Sequence, residues 1–509
     1  RLPRPRDKPP PGQATRGPGA GSGCFPAATA HLAAGRHDHR NPDRALSATK
    51  EHGHHLCREE LGARRAEVTA SGRIVRDLET REDIPGKPIH LTVDGGLQDY
   101  AARRLGPESG AVTVIDCQTG DLLCQTSMPS FDPNSFSDGI GRLEWKMLSD
   151  DDHVPLRNKA LRGLFPPGST VKPTVALAFL EAGLSPDAAV NCPGGLRVGN
   201  RVFHCWEHRG HGHVDMMKGI YQSCDVYFYH FAQQIGMERI AAMMRRMGWG
   251  QTFPFPIPGQ TKGIVPDPAW KAARYHKDWA VYDTVNATIG QGYMLVNPLQ
   301  QAVVAGRIAS GRALLPRLMA TDPVQHAPEL GVPQAHLDLI RAAMTEMVNG
   351  RGTGARARLP MPEIKLAGKS GTAQVVGLNL GNGKGGAWKR RDHGHFICFA
   401  PADKPRFACS VLVEHGGGSG AAMPVARDVM TYLFDRQKAW DALLPLEAEW
   451  GGTPQQRMAK KYAAYAAQYG VSAPKVGDSD AALARAQGAG PEAGAPAAEA
   501  TEAAEPSAE

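Results

Sequence analysis

The chain has 509 residues, of which 42% are hydrophobic and 21% charged, a composition typical of a folded globular protein with several domains or one large domain. Its net charge of +7 is not gathered into long Lys/Arg runs, which argues against nucleic-acid binding, and nine cysteines are too few for a disulfide scaffold. No stretch of the sequence is long and apolar enough to span a bilayer.

The first 64 residues differ in texture from the rest of the chain. Residues 1–64 are rich in Pro, Gly, Arg and His and show no persistent apolar period, which predicts disorder. From residue 65 the pattern becomes that of a folded domain. Residues 65–83 alternate like a pair of strands, and residues 89–105 predict a strand followed by an amphipathic helix. Residues 111–130 contain two apolar runs around a turn, which predicts a hairpin.

Helices are predicted through the middle of the chain. Residues 165–185 predict a loop that leads into a helix, with a proline in the first turn and a glycine at the end. Residues 226–249 predict an amphipathic helix, residues 300–349 two helices, and residues 393–417 two further strands. Because strands come from both ends of this region and helices from between them, the sequence predicts an α+β domain with an antiparallel sheet covered by helices.

A serine and a lysine stand three residues apart at the start of the first of these helices, at Ser169 and Lys172. This spacing places both side chains on one helix face, one turn apart. A neutral lysine can accept the proton of the serine hydroxyl and so create a nucleophile, provided that burial or a nearby cation lowers the lysine pKa. Taken alone, the pattern is a weak signal that occurs by chance in most long chains, and an ordinary helix start is the more common explanation.

Two further signals follow along the chain. Ser223 and Asp225 lie in a loop, where a second hydroxyl could relay a proton and a polar side chain could hold a substrate amide. Residues 369–372, Lys-Ser-Gly-Thr, lie in a predicted strand. The glycine lets a substrate backbone approach the strand, and the lysine offers a positive charge for a carboxylate. An ordinary glycine-containing strand is the alternative.

The order Ser-x-x-Lys, Ser-x-(Asn/Asp), Lys-(Thr/Ser)-Gly is the signature of penicillin-binding proteins and serine β-lactamases, and the three signals occur here in that order. The sequences FPPGSTVKP, QSCDVYFY, IGQGYMLVNPLQ and GKSGTAQVVG resemble the transpeptidase domain of the penicillin-binding protein 2 family, the elongation-specific class B enzymes. The resemblance covers about residues 65–440. It implies the penicillin-binding transpeptidase fold, which is serine β-lactamase-like and includes an all-helical subdomain.

The resemblance also assigns roles to individual residues. It implies that Ser169 is the acylated nucleophile, that Lys172 is its general base, and that Ser223 and Asp225 form the second motif. The implied substrate-binding residues lie on the predicted strand and are Lys369, Ser370, Gly371 and Thr372. The backbone N–H groups of the nucleophile and of Thr372 would form the oxyanion hole. Asp225 stands where Asn is commoner in the superfamily, and Ser370 stands where Thr is commoner.

The same resemblance divides the chain. Residues 65–90 resemble the last part of a non-catalytic pedestal domain, and residues 91–440 form the transpeptidase domain. We expect a helical segment at 441–470 and a disordered tail rich in Ala, Glu and Pro at 471–509. The family begins with a membrane anchor, which is not visible here, and residues 1–64 resemble nothing in the family. We interpret them as the product of a truncated or mistranslated gene start.

By resemblance, the chain is a peptidoglycan D,D-transpeptidase of cell elongation and rod-shape maintenance, acting through a Ser169 acyl-enzyme and acylated by β-lactams. The family implies stem peptides as substrates, a SEDS-type glycosyltransferase and the rod-shape complex as partners, and the periplasmic face of the inner membrane as the location. One alternative is a serine β-lactamase or D,D-carboxypeptidase. Another is a non-catalytic module, either a β-lactam sensor or a zinc-stapled scaffold.

Cysteines and histidines crowd the region before the second motif. Three thiols and one imidazole could bind a structural Zn²⁺ ion tetrahedrally: Cys192, Cys205, His211 and Cys224. The spacing is looser than in a zinc finger, so a disulfide between Cys192 and Cys205 is the alternative. Some members of the resembled family carry a metal here, and His211 and Cys224 match their ligand positions. Such a site would hold the loop of the second motif.

Overall fold

The computed structural model of the chain describes residues 63–68, 74–81 and 88–470, except 137–138, 255, 325 and 376–386. The predicted disordered tail at 471–509 lies outside the described residues. Residues 1–62 also lie outside the described residues, and with them the interpretation of residues 1–64 as an aberrant gene start. Residues 63–64 belong to a strand. In the described part of the chain, no helix has the length and apolar character needed to cross a membrane.

The strands of the described residues are short, with three to eight residues each. They are β1 (Ala63–Val68), β2 (Ile74–Arg81), β3 (Ser109–Asp116), β4 (Leu122–Met128), β5 (Val190–Cys192), β6 (Gly195–Val198), β7 (Arg201–His204), β8 (Gly212–Val214), β9 (Ala367–Ala373), β10 (His393–Ala400) and β11 (Phe407–Glu414). Strands β1 and β2 pair antiparallel, as do β3 and β4, so both strand pairs predicted near the start of the folded region are confirmed.

The helices fill the middle of the chain and its C-terminal part. They are α1 (Gly95–Leu105), α2 (Arg142–Ser149), α3 (Lys159–Arg162), α4 (Lys172–Glu181), α5 (Met216–Tyr221), α6 (Asp225–Ile235), α7 (Met237–Met247), α8 (Pro268–Tyr275), α9 (Val281–Ala287), α10 (Pro298–Ser310), α11 (Gln334–Asn349), α12 (Ser419–Phe434), α13 (Arg436–Glu449) and α14 (Pro454–Gln468). The two helices predicted within 300–349 are confirmed as α10 and α11.

A five-stranded antiparallel sheet forms the centre of the fold, in the order β4-β3-β11-β10-β9. Helices cover both of its faces. Strand β10 shows this in its alternation: Phe396 and Cys398 pack into one hydrophobic core, whereas Ile397 and Phe399 pack into the other. The second core also contains α4, α6, α7 and α10. The α+β fold class predicted from the sequence is therefore confirmed.

Three local details differ from the predictions. The described residues 88–94, directly before α1, contain no strand: Leu91 makes an isolated bridge to Met319, and Asp94 caps the helix by accepting a hydrogen bond from the Leu97 N–H. The helix predicted at 226–249 is two helices, separated by Gly236 at φ +87°. The helical half of the domain also carries two short strand pairs, β5 with β8 and β6 with β7.

Candidate active site

The predicted nucleophile lies on a tight turn that packs against the backbones of Thr372 and Gly290. Ser169 belongs to a 3₁₀ turn, Gly168–Val171, which leads directly into α4. Gly168 has φ +55°, and a Cβ at this position would lie 2.5 Å from the carbonyl oxygen of Thr372. The Gly168 N–H donates to the carbonyl of Gly290 at 2.9 Å. These contacts bring the Ser169 turn against strand β9, with the Thr372 backbone beside it.

Lys172 is fully buried and holds the loop of the second motif. Its Nζ donates to the carbonyl oxygen of Ser223 at 2.8 Å and forms an ion pair with Asp225 Oδ1 at 2.6 Å. Its distance to the Ser223 Oγ is 3.2 Å. Within the described residues the Ser169 hydroxyl makes no hydrogen bond, so the lysine faces the second motif instead of the nucleophile in this arrangement.

The Ser223 hydroxyl connects the two lysines of the site. Lys369, also fully buried, donates to Ser223 Oγ at 2.9 Å and to the carbonyl of Ser370 at 2.9 Å. Burial lowers the pKa of Lys369 well below its usual value, and the charge of Lys172 lowers it further. Burial raises the pKa of Asp225, an effect that Lys172 opposes. The site therefore brings two buried amines within hydrogen-bond distance of one hydroxyl.

The second motif adopts a backbone conformation that non-glycine residues rarely use. Ser223 has φ +57° and follows the end of helix α5, with its N–H donating to Ile220 at 3.1 Å. Left-handed backbone at a serine costs on the order of 1 kcal/mol and persists only where the surroundings fix it. Here Lys172 fixes the backbone of Ser223, because its ammonium donates to both the carbonyl and the hydroxyl of that residue.

Strand β9 carries the third motif at an edge of the central sheet. Lys369 lies opposite Ile397 of β10, so its side chain points toward the same face as that residue. A Cβ at Gly371 would lie 2.6 Å from the carbonyl of Pro167, which explains why the strand can approach the nucleophile turn. The third motif thus lies beside the nucleophile turn, on a strand that has no partner strand on one edge among the described residues.

Three residues that support β9 were not predicted as site residues. Gln291 donates from Nε2 to the carbonyl of Thr372 at 3.0 Å, and the N–H of Ser419 donates to the Thr372 hydroxyl at 3.1 Å. The hydroxyl of Thr353 lies 3.5 Å from that of Ser370. The sequence IGQGY, which contains Gln291, was a visible signal for the first contact; Thr353 and Ser419 stand in no motif.

The four predicted metal ligands come together in one buried cluster. Their ligand atoms, from Cys192, Cys205, His211 and Cys224, all lie within 4.8 Å of one another. His211 Nδ1 is 3.5 Å from the sulfur of Cys205 and 3.7 Å from that of Cys192. Ligand–ligand distances of about 3.5 Å follow from tetrahedral geometry with Zn–S near 2.3 Å and Zn–N near 2.0 Å. The donor set and its spacing therefore fit a zinc ion.

Two of these thiols are coupled to each other. A hydrogen bond from Cys224 lowers the pKa of the Cys205 thiol, whereas the same contact raises the pKa of Cys224. The cluster is bonded to the second motif, because the Asp225 N–H donates to the sulfur of Cys205 at 3.4 Å and the Trp206 N–H donates to Asp225 Oδ2 at 3.0 Å. Cys192 and Cys205 are free thiols, so no disulfide joins them.

The five-stranded antiparallel sheet with helices on both faces, and the turn of Ser169 packed against its edge strand, have the arrangement of the penicillin-binding transpeptidase fold. The model of the penicillin-binding protein transpeptidase domain matches residues 110–431. The chain therefore belongs to the penicillin-binding protein transpeptidase family, in the group of penicillin-binding protein 2, and the resemblance inferred from the motifs is confirmed.

Individual relatives support this assignment. The chain is 35% identical to the peptidoglycan D,D-transpeptidase MrdA of Acinetobacter baumannii and 36% identical to that of Salmonella typhimurium, in each case over 74% of this chain. It covers 58% and 63% of these two relatives, so it spans about three fifths of their length.

Solved structures give the same result. Penicillin-binding protein 2 of Pseudomonas aeruginosa, in complex with WCK 5153, is 37% identical with a TM-score of 0.63; the match covers 69% of this chain and 79% of that one. Penicillin-binding protein 2 of Helicobacter pylori, in complex with MreC, is 32% identical with a TM-score of 0.64, and the match covers 74% and 69%.

Proposed function

We propose that this chain is a peptidoglycan D,D-transpeptidase that cross-links stem peptides through an acyl-enzyme at Ser169. The observation that carries the proposal is the buried network in which Lys172 and Lys369 both contact the hydroxyl of Ser223, next to the turn of Ser169. Relatives that are 35% and 36% identical to this chain are named peptidoglycan D,D-transpeptidases, which supports the same reaction here.

In the first half of this reaction, Ser169 Oγ attacks the carbonyl carbon of the penultimate D-Ala. Its proton passes to the Nζ of Lys172, which acts as the general base. The carbonyl oxygen becomes an oxyanion, which the N–H groups of Ser169 and Thr372 stabilise. The peptide C–N bond then breaks, the leaving nitrogen takes the proton, and D-Ala departs. Lys369 binds the terminal carboxylate, because its amine donates hydrogen bonds beside the strand edge and the carboxylate itself favours the charged form of that amine.

In the second half, an amine of a neighbouring peptidoglycan strand attacks the ester carbonyl. The new C–N bond forms, the C–O bond to Ser169 breaks, and the proton lost by the amine returns through Lys172 to the serine oxygen. The contact of Lys172 with the second motif supports this relay. Ser223 Oγ lies 3.2 Å from the Lys172 Nζ and 2.9 Å from the Lys369 Nζ, so one hydroxyl can pass a proton between the two amines.

Fluorescent-penicillin labelling of the unsubstituted chain beside Ser169→Ala tests this function. We expect a long-lived covalent label on the unsubstituted chain and none on the variant. Rapid release of hydrolysed penicillin would instead favour the β-lactamase or carboxypeptidase alternative. Absence of label on the unsubstituted chain, or equal label on Ser169→Ala, would favour a non-catalytic scaffold.

We also propose that the cluster formed by Cys192, Cys205, His211 and Cys224 holds one structural Zn²⁺. The support is the donor set and its mutual distances. Four protein ligands leave no open position for a substrate or water, so the ion would act as a structural cross-link. The consequence for the active site is positional: the ion would hold Cys224 and thereby the neighbouring residues of the second motif.

Zinc stoichiometry of the purified chain tests this proposal. We expect about one zinc per chain, lost in Cys224→Ser and retained in Cys398→Ser, whose cysteine is equally buried but lies in the central sheet. A protein without zinc, or zinc retained in Cys224→Ser, would contradict it. Loss of metal from both variants would point to general unfolding, which circular dichroism of each variant would reveal.

The proposed setting is the periplasmic face of the bacterial inner membrane, with a SEDS-type glycosyltransferase and the rod-shape complex as partners. A structure of Helicobacter pylori penicillin-binding protein 2 in complex with MreC supports a rod-shape partner. Co-purification of the chain with an MreC protein from the same bacterium would test this part, and failure to bind under conditions where the relative binds would contradict it.

A further inference from the structure

Two cysteines of the central sheet stand directly opposite each other. Cys398 of β10 and Cys409 of β11 are partners in the antiparallel register, and both pack into the core on the same face of the sheet. Directly opposite residues of an antiparallel pair have Cα atoms about 4.5 or 5.5 Å apart, depending on the hydrogen-bond pattern. Disulfides join Cα atoms about 4.4–6.8 Å apart. Either spacing therefore suits a disulfide between these two residues.

The two thiols are in contact and fully buried. Burial raises the pKa of the Cys398 thiol well above its usual value, and a hydrogen bond with Cys409 raises it further. Neither residue is accessible to solvent, and the structure contains both as free thiols. Because the thiolate is the reactive form of cysteine, the pair is inert once the sheet has closed. Oxidation of this pair must therefore take place while β10 and β11 are coming together.

The register also excludes the other cysteines of this sheet as partners. Cys124 of β4 packs into the same core, but Val114 of β3 stands between it and Cys409 as the register partner of both. Neighbouring strands are about 4.8 Å apart, so two strand spacings separate Cys124 from Cys409 by about 10 Å. This exceeds the limit of about 7 Å for a disulfide. Cys117 packs into the core on the opposite face.

We propose that Cys398 and Cys409 form a cross-strand disulfide when the chain folds in an oxidising compartment. The inference goes beyond the proposed transpeptidase function and rests only on the proposed periplasmic setting, where disulfides form and persist. The oxidant is a small or protein-borne disulfide. The thiolate of one cysteine attacks it, which forms a mixed disulfide and releases one thiol of the oxidant.

The second cysteine completes the exchange. Its thiolate attacks the protein sulfur of the mixed disulfide, the bond between the two cysteines forms, and the second thiol of the oxidant leaves. The two cysteines lose two electrons and two protons, and the two sulfurs of the oxidant gain them. The oxidant disulfide is thereby reduced to two thiols.

The disulfide would stabilise the strand that supports the third motif. Strand β10 pairs with β9 on its other side, where Cys398 lies opposite Gly368 and Ile397 opposite Lys369. A bond between Cys398 and Cys409 closes a loop of residues 398–409, which restricts the unfolded chain more than the folded one. It would therefore hold β10 to the centre of the sheet, directly beside the strand of Lys369.

Peptide mapping tests the proposal on the full chain. Cell-free synthesis is carried out with zinc in two buffers, one with oxidised and reduced glutathione and one with reduced glutathione only. Free thiols of the folded fraction, identified by circular dichroism, are blocked with N-ethylmaleimide under denaturing conditions. Trypsin then cleaves after Arg406 and places the two cysteines in separate peptides, 392–406 and 407–427. We expect one linked species of these two peptides from the oxidising buffer, which reduction separates.

Two variants serve as matched controls. In Cys124→Ser the linked species should persist, whereas in Cys398→Ser the peptide 407–427 should carry the maleimide label. The thermal midpoint of the oxidised chain should exceed that of the reduced chain by roughly 4 °C, a difference that Cys398→Ser should abolish.

Three results would overturn the proposal: maleimide on both Cys398 and Cys409 in the folded oxidised chain, a link from either residue to Cys124, or loss of the linked species in Cys124→Ser. An equal midpoint in the two buffers despite the link would refute its stabilising role. Penicillin labelling of the same samples reports on Ser169 independently, so failure of the proposed function is distinguishable from failure of this inference.

Discussion

Gly290 gives the most specific prediction about the nucleophile. Its carbonyl accepts the N–H of Gly168, the residue before Ser169, at 2.9 Å. A Cβ at Gly290 would lie 2.2 Å from the carbonyl oxygen of Gly168, whereas ordinary contacts begin near 3.4 Å. In Gly290→Ala the two backbones must therefore separate by about 1.2 Å, and the turn that carries Ser169 must move with them.

The expected loss is large because acyl transfer depends on geometry. A misplacement of about 1 Å costs on the order of 100-fold in rate, and the oxyanion-hole donor of Ser169 moves together with its hydroxyl. Gly290 also has φ +71°, so alanine adds about 1–2 kcal/mol of backbone strain to the free energy of folding. We expect Gly290→Ala to remain folded and to acylate with penicillin about 100-fold more slowly.

Gly292→Ala is the matched control. Gly292 has φ +69°, so the backbone strain is the same, but its Cβ would meet only the Cβ of Asn286, at 3.2 Å. Stopped-flow or gel-based labelling with fluorescent penicillin gives the second-order acylation constant of each variant, and urea unfolding gives its stability. Acylation of Gly290→Ala within three-fold of that of Gly292→Ala, at similar stability, would refute the displacement argument.

Three other changes should alter stability. Burial lowers the pKa of His393 and of His395 to about 3, so below pH 6.5 these two histidines take up protons only in the unfolded chain. Urea unfolding at pH 5 should therefore show a free energy of unfolding about 2 kcal/mol lower per histidine than at pH 7. A flat pH profile would contradict this. Trp249→Ala should cost about 3–5 kcal/mol, because the indole is fully buried and donates to Thr174 Oγ1 at 3.0 Å; a loss under 1 kcal/mol in urea unfolding would exclude a tightly packed site. Asp94→Ala should cost about 1 kcal/mol through loss of the α1 cap, a change that urea unfolding beside the exposed-site variant Asp187→Ala would detect.

Local signals explain what the sequence predicted about the fold. Apolar alternation at 111–130 predicted the hairpin of β3 and β4, since side chains alternate between faces along a strand. The helix break at Gly236 was missed, because the amphipathic pattern continues across it while the backbone at φ +87° does not. The prediction of a strand before α1 was wrong, because Leu91 makes only one isolated bridge. Its partner, Met319, lies far away in the chain, so no local pattern shows that the pairing stops there.

The sequence by itself determined the family and the chemistry of the site. Three short motifs and four metal-type ligands are read from residue identity and spacing, because a nucleophile, a base and a thiolate are properties of side chains. Their order along the chain was enough to distinguish a penicillin-binding protein signature from chance.

Only the tertiary structure decided which of these groups touch. Lys369 meets Ser223 across 146 residues, and Gln291 meets Thr372 across 81, and neither contact has a local sequence signal. The ion pair of Lys172 with Asp225 and the approach of Gly290 to the nucleophile turn likewise depend on how distant segments pack. Packing of this kind is determined by the fit of whole surfaces, which no short stretch of sequence contains.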